Sequence, residues 1–282
     1  MKILLTGANG QLGRCFQDCI PIGWNILATD SNKLDITSRE QVQTVVETFQ
    51  PDVIVNAAAY TAVDKAESEP EIASLVNKIG PQNLALEAKK VGSRFVHVST
   101  DYVFDGRAIM PYVETDETNP LSVYGKTKLD GEIAVSNILQ DAIIIRTAWV
   151  FSEYGNNFVK TMLRLGKERD ELSVVCDQRG CPTYAGDIAQ AIIGLLRQDA
   201  GGGIYHFSGG KEMTWSEFAE KIFKVAIETG KLDNAPLVKK ITTEQYPTAA
   251  HRPAYSSLSN LKISAFVSPS NWKEVLRKVI TA

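Results

Sequence analysis

Histidine is nearly missing from this sequence and cysteine is sparse, with three and four copies among 282 residues. Cys15, Cys19, Cys176 and Cys181 form no Cys-x-x-Cys pair, and so few histidines assemble no zinc arrangement. The thiols are expected to be reduced, buried, small apolar groups without chemistry, although Cys15 and Cys19 stand one helical turn apart. Neither charge sign dominates: 30 basic against 33 acidic residues give a net charge of −3. Lysine and arginine are scattered, so there is no electrostatic footprint for nucleic acid, and none is expected as a partner. No uncharged apolar run is long enough to span a bilayer, and no basic and apolar leader precedes the first strand, so no membrane association and a cytoplasmic location are expected. Internal repeats and low-complexity stretches are lacking too. What remains is a chain that is 44% hydrophobic and 22% charged, ample for a large core in one compound domain or two.

The first thirteen residues, Met1-Lys-Ile-Leu-Leu-Thr-Gly-Ala-Asn-Gly-Gln-Leu-Gly13, read as a short buried strand running into glycines at 7, 10 and 13 and then a helical pattern. This is the opening of a dinucleotide site. Gly7 permits the tight turn, Gly10 lets a pyrophosphate approach the backbone and the helix N-terminus, and Gly13 lets helix and strand pack closely. The spacing is Gly-x-x-Gly-x-x-Gly, and an ordinary strand-to-helix turn would use the same residues. Asp30 ends the next apolar strand about 20 residues after the central glycine, where a carboxylate binds ribose hydroxyls and disfavours a 2′-phosphate. A capping aspartate in a loop is the plainer alternative.

Apolar runs at Ile3–Leu5, Ile26–Ala28, Val53–Val55, Phe95–Val98 and Ile143–Ile145 are each followed by a longer amphipathic or mixed segment, a βαβ rhythm. They lack polar alternation, as strands covered on both faces do. The expected fold is α/β: a Rossmann-type doubly wound parallel sheet over residues 1–148, with a smaller C-terminal α/β substrate lobe over 149–282. Within that second part the pattern mixes helices near 158–167, 187–196, 215–227 and 272–280 with strands at Leu172–Val175 and Ile204–Phe207. Segments around 171–206 are expected to return to the first domain. After the third strand, Asn56-Ala57-Ala58-Ala59 offers a small-residue loop past which a cofactor could run close, or simply tight packing.

Tyr124 and Lys128, four residues apart, would share one helix face. A phenol titrates near pH ~10, and an adjacent positive charge brings it toward use as an acid or base near neutrality. The pair therefore suggests proton transfer to a carbonyl, although an exposed helix face would look the same.

Four motifs occur in order: the glycine turn, Asn56-Ala-Ala-Ala-Tyr-Thr-Ala-Val-Asp-Lys-Ala-Glu67, Ser99-Thr-Asp-Tyr-Val-Phe104 and Tyr124-Gly-Lys-Thr-Lys128. Together they resemble the extended short-chain dehydrogenase/reductases. The likeness continues through Arg146-Thr-Ala-Trp-Val150, Gly155-Asn-Asn-Phe-Val-Lys-Thr-Met162, Asp177-Gln178, Pro182-Thr183 and Tyr246-Pro-Thr-Ala-Ala-His-Arg-Pro253. Over nearly the whole chain it resembles the dTDP-4-dehydrorhamnose reductase family. That resemblance implies reduction of the 4-keto group of a dTDP-linked 4-keto-6-deoxyhexose, with NADPH or NADH as cofactor.

The resemblance also implies site residues. Thr100, Tyr124 and Lys128 would form a catalytic triad: Tyr124 gives a proton to the ketone oxygen, Thr100 donates a hydrogen bond to it, and Lys128 holds the phenol's pKa down while binding the nicotinamide ribose. Gln11 and Leu12 would lie beside the pyrophosphate, and Asp35 and Ile36 beside the adenine, unless Asp35 caps a helix starting near Thr37 and Ile36 is core. Tyr102 and Trp149 would flank the sugar, or pack in the core. The fork of Arg252 matches a nucleotide pyrophosphate, with an exposed salt bridge as its alternative. His97 and His251 are expected to have no functional role.

Relatives that share the tyrosine and lysine also dehydrate or epimerise sugar nucleotides. The resembling 4,6-dehydratases carry a glutamate after the aspartate; here Tyr102 stands there, which disfavours dehydration. A sugar-nucleotide epimerase, and a non-catalytic NADP-binding regulatory subunit like that of methionine adenosyltransferase, are the alternatives. Some family members dimerise around magnesium held by acidic side chains, at positions occupied here by Cys15 and Gly186, neither a hard oxygen ligand. No metal and a monomer are therefore expected.

Overall fold

The computed structural model describes residues 1–282. Its centre is a six-stranded sheet built from β1 (Lys2–Thr6), β2 (Asn25–Thr29), β3 (Val53–Asn56), β4 (Arg94–Thr100), β5 (Ile143–Thr147) and a last strand, Gly203–His206. Every pairing in it is parallel. From one edge the order is Gly203–His206, β5, β4, β3, β1, β2, so the direction of winding reverses between β1 and β3. Open α/β sheets bind their ligands at such a reversal, outside the carboxyl ends of the strands.

The missing polar alternation has a direct cause. Successive side chains leave a strand on opposite faces, and here both faces are covered. Ile3, Leu5, Val53, Val55, Ile143 and Ile145 pack with Phe16 of helix α1 (Gln11–Asp18) and with Ile188, Ile192 and Leu195 of the helix Ala185–Arg197. Their neighbours Leu4, Ile54 and Phe95 pack on the other side with Val42 and Val46 of α2 (Arg39–Phe49) and Leu84 and Ala88 of the helix Gly80–Val91.

A second core of 17 buried residues lies in the later chain, where Phe151, Val159, Phe218, Phe223 and Leu276 bring together the helices Phe158–Glu168, Trp215–Glu228 and Trp272–Thr281. The expected return of residues 171–206 to the main sheet divides in two. The helix Ala185–Arg197 and the strand Gly203–His206 do join it, whereas Glu171–Val175 pairs in parallel with Leu237–Ile241, away from it. No helix is long and apolar enough to cross a membrane.

Candidate active site

The turn after β1 is set by contacts that admit only hydrogen. Gly7 sits at φ 71°, and a Cβ there would lie 2.6 Å from the Ala57 backbone; a Cβ on Gly13 would lie 2.2 Å from the Gly7 carbonyl oxygen. The strand β1, the helix α1 and the loop after β3 are therefore pressed together, and the first turn of α1 opens on a cavity of about 560 Å³. Backbone N–H groups in a helix's first turn lack intrahelical partners, and the helix dipole favours an anion there.

Gly7, Gly10, Gln11, Leu12, Asp30, Asp35, Ile36, Ala57, Ala58, Ala59, Tyr124 and Lys128 all line this cavity. Gly13 does not, because it is spent on the close approach beneath the turn. Sequence reasoning passed over Asn9, Ser31, Thr37, Thr61, Val76 and Asn156, which line it as well. Asn9 lay inside the glycine motif, and the Gly155-Asn-Asn157 stretch was a signal that looked only like a loosening of pattern. Ser31, Thr37 and Thr61 are loop residues with no periodicity to betray them, and Val76 sits in the short π-helix Leu75–Ile79, where an apolar residue reads as core.

The two aspartates are already engaged. One oxygen of Asp30 accepts the N–H groups of Asn32 and Lys33, both at 3.1 Å, and the other accepts the Asn9 amide. Asp35 accepts the Thr37 N–H at 2.9 Å and its hydroxyl at 2.8 Å. The helix α2 starts two residues later than expected, at Arg39, with the Ser38 side chain accepting from the Gln41 N–H, so Asp35 caps a preceding turn and not the helix.

Tyr124 and Lys128 lie on the helix Val123–Ile138, which starts where the Ser122 hydroxyl accepts the Gly125 N–H at 3.1 Å. Both side chains are buried. Here one expectation is corrected. Burial pushes the Tyr124 phenol up to about 12, a shift opposed by the Thr100 hydroxyl and reinforced by the Asp101 carboxylate. The lysine, 2% exposed, donates from Nζ to the Val98 carbonyl at 2.6 Å. Burial lowers its pKa to about 8, although Glu132 acts to raise it. Desolvation thus outweighs the charge–charge effect read from the four-residue spacing.

Glu132 is itself committed elsewhere. Arg146 donates to it from Nη2 at 2.7 Å and from Nε at 3.0 Å, and the Ser99 hydroxyl donates as well. Thr100 closes β4 and is buried beside the phenol without lining the cavity; its hydroxyl donates to Asp101 Oδ1 at 3.0 Å and accepts the Tyr102 N–H at 3.2 Å. Burial pushes the Asp101 carboxyl up to about 6. The Tyr102 ring meets the Tyr124 ring edge-on, with centroids 5.4 Å apart.

A second cavity, of about 530 Å³, opens among Phe158, Met162, Gln178, Trp215, Tyr246 and Arg252. Trp149, expected beside a sugar, lines neither cavity: its indole stacks flat on Trp215 at 3.4 Å, with the backbone at φ 49°. Arg252 realises its salt-bridge alternative by pairing with Asp64, while still lining the second cavity. His97 is fully buried against the Asn56 amide at 3.0 Å.

Comparison with known proteins adds to this geometry. The family described as the RmlD substrate binding domain matches residues 1–282. The chain is 48% identical to a dTDP-4-dehydrorhamnose reductase of Aggregatibacter actinomycetemcomitans, covering 99% of this chain and 98% of that protein. A dTDP-4-dehydrorhamnose reductase of Clostridium acetobutylicum superposes with a TM-score of 0.94 at 44% identity, covering 100% and 99% of the two chains. One from Bacillus anthracis, solved in complex with NADP, superposes with a TM-score of 0.93 at 40% identity, covering 99% and 98%.

Proposed function

Because the chain belongs to the dTDP-4-dehydrorhamnose reductase family, we propose that it is an NAD(P)H-dependent oxidoreductase converting dTDP-4-dehydro-L-rhamnose to dTDP-L-rhamnose. The observation that carries this reading is that Tyr124 and Lys128 line the same cavity as the glycine turn, so acid and cofactor cradle share one space.

The residues fit a dinucleotide. The N-terminus of α1 with Gly10, Gln11 and Leu12 offers an anion cradle, Ala57, Ala58 and Ala59 leave room along the C-terminal end of β3, and Asp35 and Ile36 offer an acceptor and an apolar edge for adenine. A reduced nicotinamide supplies the hydride when bound. The Bacillus anthracis relative is solved with NADP; the carboxylate of Asp30 favours a free 2′-hydroxyl, and the exposed Asn32–Lys33 backbone beside it is where a 2′-phosphate would be admitted.

Tyr124 delivers the proton to the ketone oxygen as negative charge develops there. A phenol held near 12 keeps its proton until that moment, which suits a donor to a nascent alkoxide. Thr100 has one hydroxyl proton; turned from Asp101 toward the ketone oxygen, it stabilises charge that is larger in the transition state than in the ground state. Lys128, poised near 8, resupplies the acid and binds the ribose through its remaining N–H groups. Tyr102 and Trp149 shape the sugar's surroundings, and Arg252 with the second cavity takes the nucleotide diphosphate.

The test is consumption of NADH and NADPH with the dTDP-linked 4-keto-6-deoxyhexose by native protein and by Tyr124→Phe. Consumption by the native chain and a kcat loss of about 10²-fold or more in the variant is the expected outcome. No consumption by the native protein with either cofactor overturns the assignment and favours a binding subunit. The same reading holds the chain monomeric without magnesium, so light scattering should be indifferent to chelator.

A further inference from the structure

The loop carrying Arg252 meets the chain that follows β3 at one carboxylate, that of Asp64. Asp64 stands in the short helix Val63–Ala66 that follows β3, and 188 positions later Arg252 reaches it with both terminal nitrogens. Nη1 donates to Asp64 Oδ1 at 3.1 Å and Nη2 to Oδ2 at 2.6 Å. Asp64 Oδ1 also accepts the Ala250 N–H at 3.1 Å, so the carboxylate fixes the loop backbone as well as the side chain. Nη1 is saturated further by the Thr248 hydroxyl oxygen at 2.5 Å and the Ala250 carbonyl at 3.2 Å.

A guanidinium has five N–H donors in a planar fork. The end-on edge, Nη1 and Nη2, is taken by Asp64. Nε has no acceptor, and Nη2 has one hydrogen to spare; these two point along the side edge of the same plane. Two parallel donors on one edge match two oxygens of a phosphate. The arginine side chain is 23% exposed and lines the second cavity, so that edge is accessible.

We infer that Asp64 is a positioning residue for the sugar nucleotide: by occupying the end of the Arg252 fork it freezes a flexible side chain with its side edge presented to the substrate's diphosphate. This rests on the reading of the second cavity as the nucleotide site. An arginine already ordered gives up less rotamer entropy on binding, and that saving appears as affinity and not as rate. Aspartate suits this role because it has two acceptor oxygens; asparagine has one and breaks the bidentate clasp.

Titration calorimetry of the full chain with dTDP, alongside steady-state kinetics, tests the inference on Asp64→Asn, Arg252→Gln and the double variant. Asp64→Asn should weaken dTDP binding and raise the sugar-nucleotide KM by about tenfold, with kcat and the NADPH KM within about twofold. The double variant should bind no worse than Arg252→Gln alone, since the asparagine oxygen can still accept the Ala250 N–H and the rest of the carboxylate's effect passes through that fork. Asp64→Glu, which keeps both oxygens, should recover most of the affinity. Unchanged dTDP binding in Asp64→Asn would mean that the fork needs no carboxylate to order it, and tighter binding that the carboxylate competes with the diphosphate; either would overturn the inference, as would losses that multiply in the double variant. If Arg252→Gln alone leaves dTDP binding intact, the nucleotide reading of the cavity falls, and the inference with it.

Discussion

Replacing Lys128 by methionine should make the ligand-free protein more stable and nearly inactive. The native lysine is buried, its pKa is drawn from 10.5 down to about 8 by desolvation, and its one protein acceptor is the Val98 carbonyl. At about 1.4 kcal/mol per unit, keeping that ammonium charged inside the fold costs about 3 kcal/mol at pH 7. Methionine is of similar length, is as good a helix former and carries no charge. Against the gain stands the Val98 carbonyl, which loses a donor at a cost of about 1–2 kcal/mol. Glu132 is not orphaned, because Arg146 and Ser99 hold it. The net expectation is about 1–2 kcal/mol of added stability. The pH dependence identifies the cause. The folded pKa lies below the unfolded one, so below about 8 both states are protonated and the penalty is complete; between about 8 and 10.5 only the unfolded state holds the proton, and native stability rises with pH. The advantage of the variant should therefore shrink across that window. Urea unfolding of both proteins at pH 7 and pH 10, together with kcat, measures all of this. A variant less stable than native at pH 7, or an advantage that persists at pH 10, refutes the argument that burial of charge burdens the fold here.

Further outcomes follow from individual contacts. Gly13→Ala should lose about 2 kcal/mol or more, because its Cβ meets a backbone oxygen that cannot step aside, and denaturant unfolding with a normal midpoint would contradict the close approach. Asp30→Ser, which keeps a cap but removes the carboxylate, should shift the NADPH-to-NADH ratio of kcat/KM by about tenfold toward NADPH; an unmoved ratio would mean that Asp30 only closes its own turn. Acid titration should show stability falling below about pH 6, since burial keeps His97 and His206 neutral in the fold, so each binds a proton only when unfolded. Asp101, raised to about 6, binds one only when folded and offsets part of the slope. Asp101→Asn should therefore steepen that slope between about pH 6 and 4, which calorimetric melts at stepped pH would reveal.

The parts that could be read from sequence are those written in local pattern. Five apolar runs gave five strands of the sheet because helices cover both faces, and the glycine spacing carried its own steric reason. What escaped depends on distance along the chain or on surroundings. The clasp between Asp64 and Arg252 joins residues 188 positions apart, so no spacing rule reaches it. The strand Leu237–Ile241 is a largely exposed Leu-Val-Lys-Lys-Ile with no alternation to announce it. The two-residue strand pairings Val150–Phe151 with Thr183–Tyr184, and Arg179–Gly180 with Met213–Thr214, are too short for any period. The spacing of Tyr124 and Lys128 was legible, yet its electrostatic meaning was not, because four-residue separation says nothing of how dry the helix face is.

The late return of the chain to the main sheet bears on the order in which this protein can be made. The edge strand Gly203–His206 and the helix Ala185–Arg197, with Ala200, Phe207 and Ile263, complete a core whose other buried members lie in the first 147 residues. Until they emerge from the ribosome, β5 has a bare edge, and Ile143 and Ile145 have no cover from Ile188, Ile192 and Leu195. A nascent chain stalled between the two would present an apolar face and an unpaired strand to chaperones and to other copies of itself. Slow codons placed shortly after residue 147 should therefore lower soluble yield more than the same codons placed after residue 207.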